Sequence, residues 1–449
     1  MRRRGPDARG IKITERAILF HTRLIVVDPE NGAQPMTQKE NGLEYTIVYN
    51  GELYNTEELR KELTAAGIEF FGHSDTEVVL KSYIHWGEKC LDRFNGIFAF
   101  AVWEEATQRL FFARDRMGVK PFFYALKNDT FIFGSEIKTL LEYPDIEPVI
   151  DRKGIIDLLF IGPGRTPGCG VFRDIHELEP GHCGTFDRNG LRTFSYWKLK
   201  DLLHTETFEE TSDHVRYLVT DAIRRQLVSD VPLGTFLSGG LDSSIISAVA
   251  ASHFRSLGHQ LDTFSVTYTD NQKYFKTSKF QPTTDEPYIQ MMAEFLGSNH
   301  HTFVVDNEQL ALALKAAVDA RDLPGMADVD SSLLLFCEEI KKHVTVALSG
   351  ECADEIFGGY PWYRDEKIRS AYGFPWAQTT AMRQKFLTPH LRKLIDGEAE
   401  VSARYEQALA ETDKSEGLSP KESRLREMVH LNMYWFMQTL LTRKDRMSM

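Results

Sequence analysis

The chain has 449 residues, 42% hydrophobic and 26% charged, which suits a soluble globular protein of two or three domains. Its 53 basic and 65 acidic side chains leave a net charge of −12, which argues against non-specific binding to nucleic acid or a membrane surface. No apolar stretch reaches membrane-spanning length, and no signal-peptide core follows Arg2-Arg3-Arg4. Cys90, Cys169, Cys183, Cys337 and Cys352 show no CxxC spacing, so neither a disulfide framework nor a zinc site is indicated. A cytoplasmic, multi-domain enzyme with small-molecule partners is the expectation, with no nucleic acid and no membrane.

In chain order, short β-type runs punctuated by turn residues dominate up to about residue 195. Tyr45–Tyr49, Leu110–Ala113, Phe122–Tyr124 and Phe131–Phe133 are expected strands, with helices over Thr56–Ala66 and Asp75–Trp86, the latter capped by Ser74. Asn50-Gly51 reads first as a hairpin turn, and Arg114-Asp115-Arg116 as a turn with solvated charges and a purely structural role. This mixture predicts an antiparallel α+β layered domain over 1–197. A polar linker over 198–211 follows. Strand and helix then alternate: strands at Thr235–Leu237, Thr263–Tyr268, His301–Val305 and Val344–Leu348, helices at Leu241–Arg255, Asp285–Leu296, Gln309–Ala320 and Ser331–Lys341. That rhythm predicts an α/β doubly wound parallel sheet over 212–449, with ligands at the carboxyl ends of its strands and a wholly helical part from Tyr363 onward. His300-His301 reads as a pair of satisfied turn histidines, since no third metal ligand is spaced for them.

Two constellations carry chemistry in the second half. Ser238-Gly239-Gly240-Leu241-Asp242-Ser243-Ser244 follows a strand and opens a helix, so main-chain N–H groups can close on an anion. It lacks the Lys-Ser/Thr ending of a Walker loop, which excludes a kinase or GTPase reading. Ser349-Gly350-Glu351-Cys352-Ala353-Asp354-Glu355 follows another strand and offers oxygen ligands; on a helix, Glu351 and Asp354 would share a face. The plainer reading of the second stretch is an acidic first helical turn favoured by the helix dipole.

The first motif resembles the pyrophosphate loop of ATP pyrophosphatases. Together with Leu348–Tyr360 (LSGECADEIFGGY) it is similar to the synthetase domain of glutamine-hydrolysing asparagine synthetases. The resemblance implies ATP and Mg²⁺ as cofactors, and adenylation of aspartate to β-aspartyl-AMP before ammonia attack. By that resemblance Ser238, Gly239, Gly240, Asp242 and Ser243 would hold the phosphates. Phe236, Val266, Ser349 and Gly350 would line the adenosine pocket, Asp242 and Asp354 would carry Mg²⁺–pyrophosphate, and Glu351 would serve the acyl-adenylate chemistry. Cys352 and Ala353 depart from the Gly or Ser of many relatives. The segment Arg321–Ser332 is expected to border the acceptor pocket.

The first half resembles class II glutamine amidotransferase domains of the N-terminal-nucleophile type. Arg4–Asp7, His21–Leu24, Tyr49–Asn55, Ser74–Glu77, Asn95-Gly96 and Ala113–Arg116 occur in that family's order. The resemblance implies glutamine contacts by Arg23, Leu24, Ile25, Val26, Val27, Asn50, Gly51, Glu52 and Asp75, with Asn50 and Gly51 forming an oxyanion hole. The family's nucleophile is a cysteine directly after the initiator Met; here residue 2 is Arg2, so no glutaminase nucleophile is expected and neither is glutamine hydrolysis. Both ends are expected to be cut short of the family pattern. The near-continuous apolar helix Met428–Leu441 would then show Tyr434, Trp435 and Phe436 as an exposed patch. Substrates are expected to be ATP, aspartate and glutamine or ammonia, in a homodimer. The competing readings are a related carboxylate-adenylating amidotransferase with another acceptor, and a non-catalytic ATP-binding fragment.

Overall fold

A computed structural model describes residues 2–278 and 282–449. The chain divides into two compact units. One contains the chain up to Asp201 with Glu366–Asp445 and Met449; the other contains Leu202–Asp365 with Arg446–Ser448.

In the first unit, strands β1 (Ala8–Ile13) and β2 (Ile18–Arg23) form a hairpin. The main sheet uses β3 (Met36–Glu40), β4 (Leu43–Leu53), β5 (Gly96–Glu104) and β6 (Arg109–Arg114). β7 (Phe123–Lys127), β8 (Thr130–Gly134) and β9 (His176–Glu177) make a three-stranded sheet. β10 (His182–Asp187) and β11 (Gly190–Ser195) complete the six-stranded antiparallel sheet, ordered β11-β10-β6-β5-β4-β3.

Strand alternation sorts the side chains of that sheet into two cores. Ile47, Tyr49, Phe98, Phe100 and Phe111 face one side, where Leu59, Val78, Val79 and Tyr83 of helices Thr56–Ala65 and Asp75–Trp86 cover them. Val48, Ala99, Ala101, Trp103 and Phe112 face the other side, against Leu19, Phe122 and Leu178. The result is the α+β layered arrangement expected. Ser74 caps its helix as predicted, accepting from the Glu77 amide at 3.3 Å.

Two expectations fail here. The Arg114-Asp115 pair is not solvated: Arg114 is 2% exposed and donates to the carbonyls of Lys120, Leu178 and Gly118, while pairing with Glu177 at 3.0 Å. Asp115 accepts from the amides of Phe98, Met117, Val119 and Lys120, so the two charges knit a buried turn. The Met428–Leu441 stretch does not form an exposed patch either. Trp435 is 1% exposed and lies with Leu431 in a core built from Ile156, Phe160, Phe374, Leu387, Val401 and Tyr405. The Glu366–Asp445 segment supplies most of that core, a long-range contact that helical periodicity cannot announce.

Arg4 is fixed in the same unit by a two-point ion pair with Asp445, at 2.5 and 3.0 Å, both side chains being buried. Arg4→Lys keeps the charge but gives up the planar fork. It is expected to lower the unfolding free energy by about 1–2 kcal/mol, measured by urea denaturation with an unchanged m-value.

The second unit holds a four-stranded parallel sheet of β12 (Leu233–Phe236), β13 (Asp262–Tyr268), β14 (Asn299–Val305) and β15 (Val346–Leu348), ordered β14-β13-β12-β15. Helices Leu241–Ser256, Glu286–Leu296, Asn307–Arg321 and Asp328–Ile340 make the crossovers. The α/β expectation holds. His300 and His301 lie within β14 rather than a turn. The His300 ring bonds Thr263 and Ser265, and His301 bonds Asp262 and stacks on Phe264. Among the described residues no helix is long and apolar enough to cross a membrane.

Candidate functional site

In the second unit the chain runs from β12 outward to β13 and β14, then returns to place β15 on the other side of β12. The strand order therefore reverses between β12 and β15. A crevice opens at the carboxyl ends of a parallel sheet at such a reversal, because the two outgoing loops depart to opposite faces. Those two loops carry the stretches singled out by sequence, Ser238–Ser244 and Ser349–Glu355.

The first loop is held by its own hydroxyls. Ser243 Oγ lies 3.0 Å from Ser238 Oγ, accepts from the Ser238 amide at 3.1 Å, and donates to the Gly240 carbonyl. Gly239 adopts φ +75°, and a Cβ there would stand 2.7 Å from Tyr288 Cβ, so turn and packing both require glycine. Helix Leu241–Ser256 begins at this loop, adding a partial positive charge that favours an anion.

Gly350 joins the two loops. A Cβ on it would lie 2.9 Å from Asp242 Cβ, so the absence of a side chain lets the loops touch. Asp354 feels the charge of Asp242; burial and this like charge raise its pKa, and Arg364 opposes the rise. Burial likewise raises Asp242. Glu351 contributes to the same field, but it does not share a helix face with Asp354. The helix spans only Ala353–Phe357, and Cys352 turns the chain before it at φ 74°. Proximity of the acids thus comes from a left-handed turn rather than helical spacing.

The side chains of Phe236 and Val266 pack against the core of Phe264, Phe336 and Val344. Glu355 points inward and accepts from the Tyr360 hydroxyl at 2.5 Å. Tyr360 ends the Leu348–Tyr360 motif with no role read for it, and Arg364 lies outside that motif; only the tertiary turn shows them near the acids. Among the described residues no group of three or more His, Cys, Asp or Glu converges on a metal position. Two crowded carboxylates fit Mg²⁺ in its usual manner with nucleotides, as partial ligands completed by phosphate oxygens and water.

The first unit assembles the other predicted residues. Asn50 and Gly51 are not a turn. They lie inside β4, paired with Ala99 and Phe98 of β5. A Cβ on Gly51 would collide with the Ile97 carbonyl and approach Phe98 Cα to 2.8 Å, so this glycine serves close strand approach. Asn50 Nδ2 is buried with no partner among the described residues, an orphan donor. His21 Nε2 lies 3.1 Å from the Tyr49 carbonyl, while its buried Nδ1 lacks a partner among those residues. Burial pushes the His21 pKa down to about 4, so the ring is neutral at neutral pH.

Asp75 accepts from the Tyr49 hydroxyl at 2.8 Å and from the amides of Leu53 and Thr76; burial raises its pKa. Burial also raises Glu52, against the opposing charge of Lys120. Arg23 turns its guanidinium onto the carbonyls of Val27, Asp28 and Pro29 at 2.9, 2.6 and 3.2 Å, shaping the loop that carries Leu24, Ile25, Val26 and Val27. Asp75 and Asp7 lie within electrostatic range of it.

Cys90 and Cys183 are both fully buried, and burial raises both thiols, Cys183 to about 12. Cys169 is likewise pushed up to about 12. Thiols held protonated in this way do not suit nucleophilic attack.

A glycine-rich loop at a sheet reversal, joined in one chain to a layered α+β domain, is the arrangement of a two-part amidotransferase ligase. Comparison with known proteins agrees. The glutamine amidotransferase domain model matches residues 1–197, and the asparagine synthase model matches residues 214–449. The chain is 52% identical over 448 residues to asparagine synthetase [glutamine-hydrolyzing] 3 of Bacillus subtilis strain 168, covering all of this chain and 73% of that protein. It is 37% identical to asparagine synthetase [glutamine-hydrolyzing] 1 of the same organism, covering 81% of this chain and 55% of the relative. It is also 31% identical to amidase chry2 of Gibberella zeae, covering 85% of this chain and 57% of that one. The chain belongs to the glutamine-hydrolysing asparagine synthetase family.

Proposed function

We propose that this chain activates the side-chain carboxylate of aspartate with ATP and passes it to ammonia, forming asparagine, AMP and pyrophosphate. A carboxylate oxygen attacks the α-phosphorus and pyrophosphate leaves, giving β-aspartyl-AMP. Ammonia then attacks the activated carbonyl carbon, AMP leaves, and one ammonia proton is lost. The step needs activation because a carboxylate is a poor electrophile, whereas a mixed anhydride carries a leaving group.

Main-chain N–H groups over Ser238–Ser243 hold the phosphates, with Ser238 and Ser243 keeping the loop in shape. The main chain of Phe236, Val266, Ser349 and Gly350 receives the adenosine. Mg²⁺, when bound with ATP, offsets charge on the departing pyrophosphate; Asp242 and Asp354 are the residues that would hold it. Glu351 stands beside them to handle the proton released on ammonia attack. The observation that carries the reading is the contact of the two loops at Gly350, which sets Asp242 and Asp354 together at the reversal of strand order.

In the first unit Arg23, Asp75 and Glu52 frame a pocket for glutamine, with Asn50 and Gly51 presenting donors to a developing oxyanion. The orphan donor on Asn50 and the orphan acceptor on His21 match the two halves of a primary amide. None of Cys90, Cys169 and Cys183 supplies the thiol for glutamine cleavage, given how they are held.

The test is pyrophosphate, AMP and asparagine formation from ATP, Mg²⁺ and an ammonium salt, with aspartate against other carboxylic acids. Aspartate-dependent release of all three is expected. A response confined to another acid points to a different acceptor. ATP binding with no release points to a non-catalytic binding fragment.

A further inference from the structure

The loop Ser349–Glu355 holds one carboxylate with no part in the scheme above. Glu355 is 0% exposed, yet it lies in the same turn as Glu351 and Asp354, which remain accessible. Its one hydrogen bond within the described residues comes from the Tyr360 hydroxyl, at 2.5 Å to Oε1; Oε2 is buried without a partner there. Burying a carboxylate is costly, so a leucine would serve better if this position only filled space.

The chain around the pair shows what it holds. After helix Ala353–Phe357, Gly358 turns the backbone at φ 67°, and the Gly359 amide donates to the Asp354 carbonyl at 3.0 Å. A Cβ on Gly359 would collide with the Asp354 carboxylate, so the returning chain lies directly against that side chain. Tyr360 then stacks on Trp362, with ring centroids 4.2 Å apart, and reaches back to Glu355. The charges of Asp354 and Glu351 are both felt at Tyr360. The short helix is thus gripped by Gly359 on the Asp354 side and by Tyr360 on the Glu355 side.

We propose that Glu355 and Tyr360 are positioning residues whose buried hydrogen bond folds the Gly358–Tyr360 return onto the helix and holds the Asp354 carboxylate toward Asp242. The proposal rests on the reading of this loop as the pyrophosphate and Mg²⁺ site. An error of about 1 Å in a charged group at a reacting centre costs on the order of 10²-fold in rate, which is the effect such a latch prevents. Because the contacts of the latch run to Glu355, Trp362 and the Asp354 side of the helix, it governs the carboxylate of Asp354 rather than nucleotide docking.

The variants are Tyr360→Phe, Glu355→Leu, Glu355→Gln and the Tyr360→Phe/Glu355→Leu double. Two readouts are used: pyrophosphate release, and ATP affinity by calorimetry with and without Mg²⁺. Tyr360→Phe and Glu355→Leu are each expected to lower kcat by about tenfold or more, with KM for ATP changed by less than about twofold. ATP affinity without Mg²⁺ should hold, while the gain in affinity on adding Mg²⁺ should shrink by about tenfold. Glu355→Gln should recover most of the loss seen in Glu355→Leu, since its amide oxygen accepts the same hydrogen bond. The double variant should be no worse than the poorer single, because one bond is lost in either case.

Parent-like turnover and Mg²⁺ response in Tyr360→Phe would overturn the proposal. So would a loss of metal-free ATP affinity, which marks general disruption, or additive losses in the double. Should Glu355→Leu fail to fold, Tyr360→Phe, which removes a single oxygen, decides the matter alone. If the parent chain releases no pyrophosphate, the catalytic reading fails, and the Mg²⁺ arm of the calorimetry still decides on the latch.

Discussion

Asp242→Asn should lower pyrophosphate release by about a hundred- to a thousandfold, the range seen when one preorganised electrostatic group is removed from a reaction centre. The substitution keeps size and shape but takes away the negative charge opposite Asp354. The fold should not suffer. Burial raises the Asp242 pKa, so its charge is disfavoured in the native state, and neutralising it removes a small destabilising term at neutral pH. Burial and the neighbouring Asp242 charge raise Asp354 as well, so the variant should also bring the Asp354 pKa down. Single-turnover pyrophosphate release and a thermal melt on the same preparation check this. Unchanged turnover would refute the role of Asp242; lost activity with a lowered melting temperature would mean damage to the loop instead.

Gly51→Ala should cost about 3 kcal/mol of stability, at the upper end of what overpacking usually exacts. The added methyl meets the Ile97 carbonyl and Phe98 Cα, both main-chain atoms of the adjacent strand β5. Neither can swing aside as a side chain would, and β5 is itself clamped between β4 and β6. The strands must part locally, which also shifts the Asn50 amide from its buried position. Urea denaturation reads the stability, and glutamine affinity by calorimetry reads the pocket. A parent-like midpoint would show that β4 and β5 separate more easily than their pairing over Tyr45–Leu53 suggests.

These two sites show how far sequence reasoning reaches. The Ser238–Ser244 loop was legible because every cue for it is local: a strand, two glycines, then a helix start. The expected helix Asp75–Trp86 appears with the same bounds for a similar reason, with its capping serine directly ahead of the helical run. Asn50-Gly51 misled because the pair is a strong turn signal whose glycine here answers to a neighbouring strand far away in sequence. Arg114-Asp115 misled in the same way, since charges read as solvated become buried once Leu178 and Lys120 bring carbonyl and amide partners. Glu351 and Asp354 were expected to share a helix face, and the helix is too short to hold both. Tyr49, His21 and Tyr360 lay inside matched segments with no role read for them, and Arg364 lay outside every such segment. Their relevance appears only when a hydroxyl, ring or guanidinium is found beside an acid or a carbonyl.

By itself the sequence determined the fold class of each half, the strand-to-helix loop at Ser238–Ser244 and the family, because periodicity, caps and contiguous motifs are properties of short stretches. Tertiary structure alone decided which side of β12 receives β15, and so which carboxylate meets Asp242. It also decided that the apolar run around Trp435 lies in a core with Phe160 and Phe374, and that Gly51 admits a strand instead of making a turn. Each of these depends on atoms distant along the chain arriving within a few ångströms, and no window of sequence contains both partners.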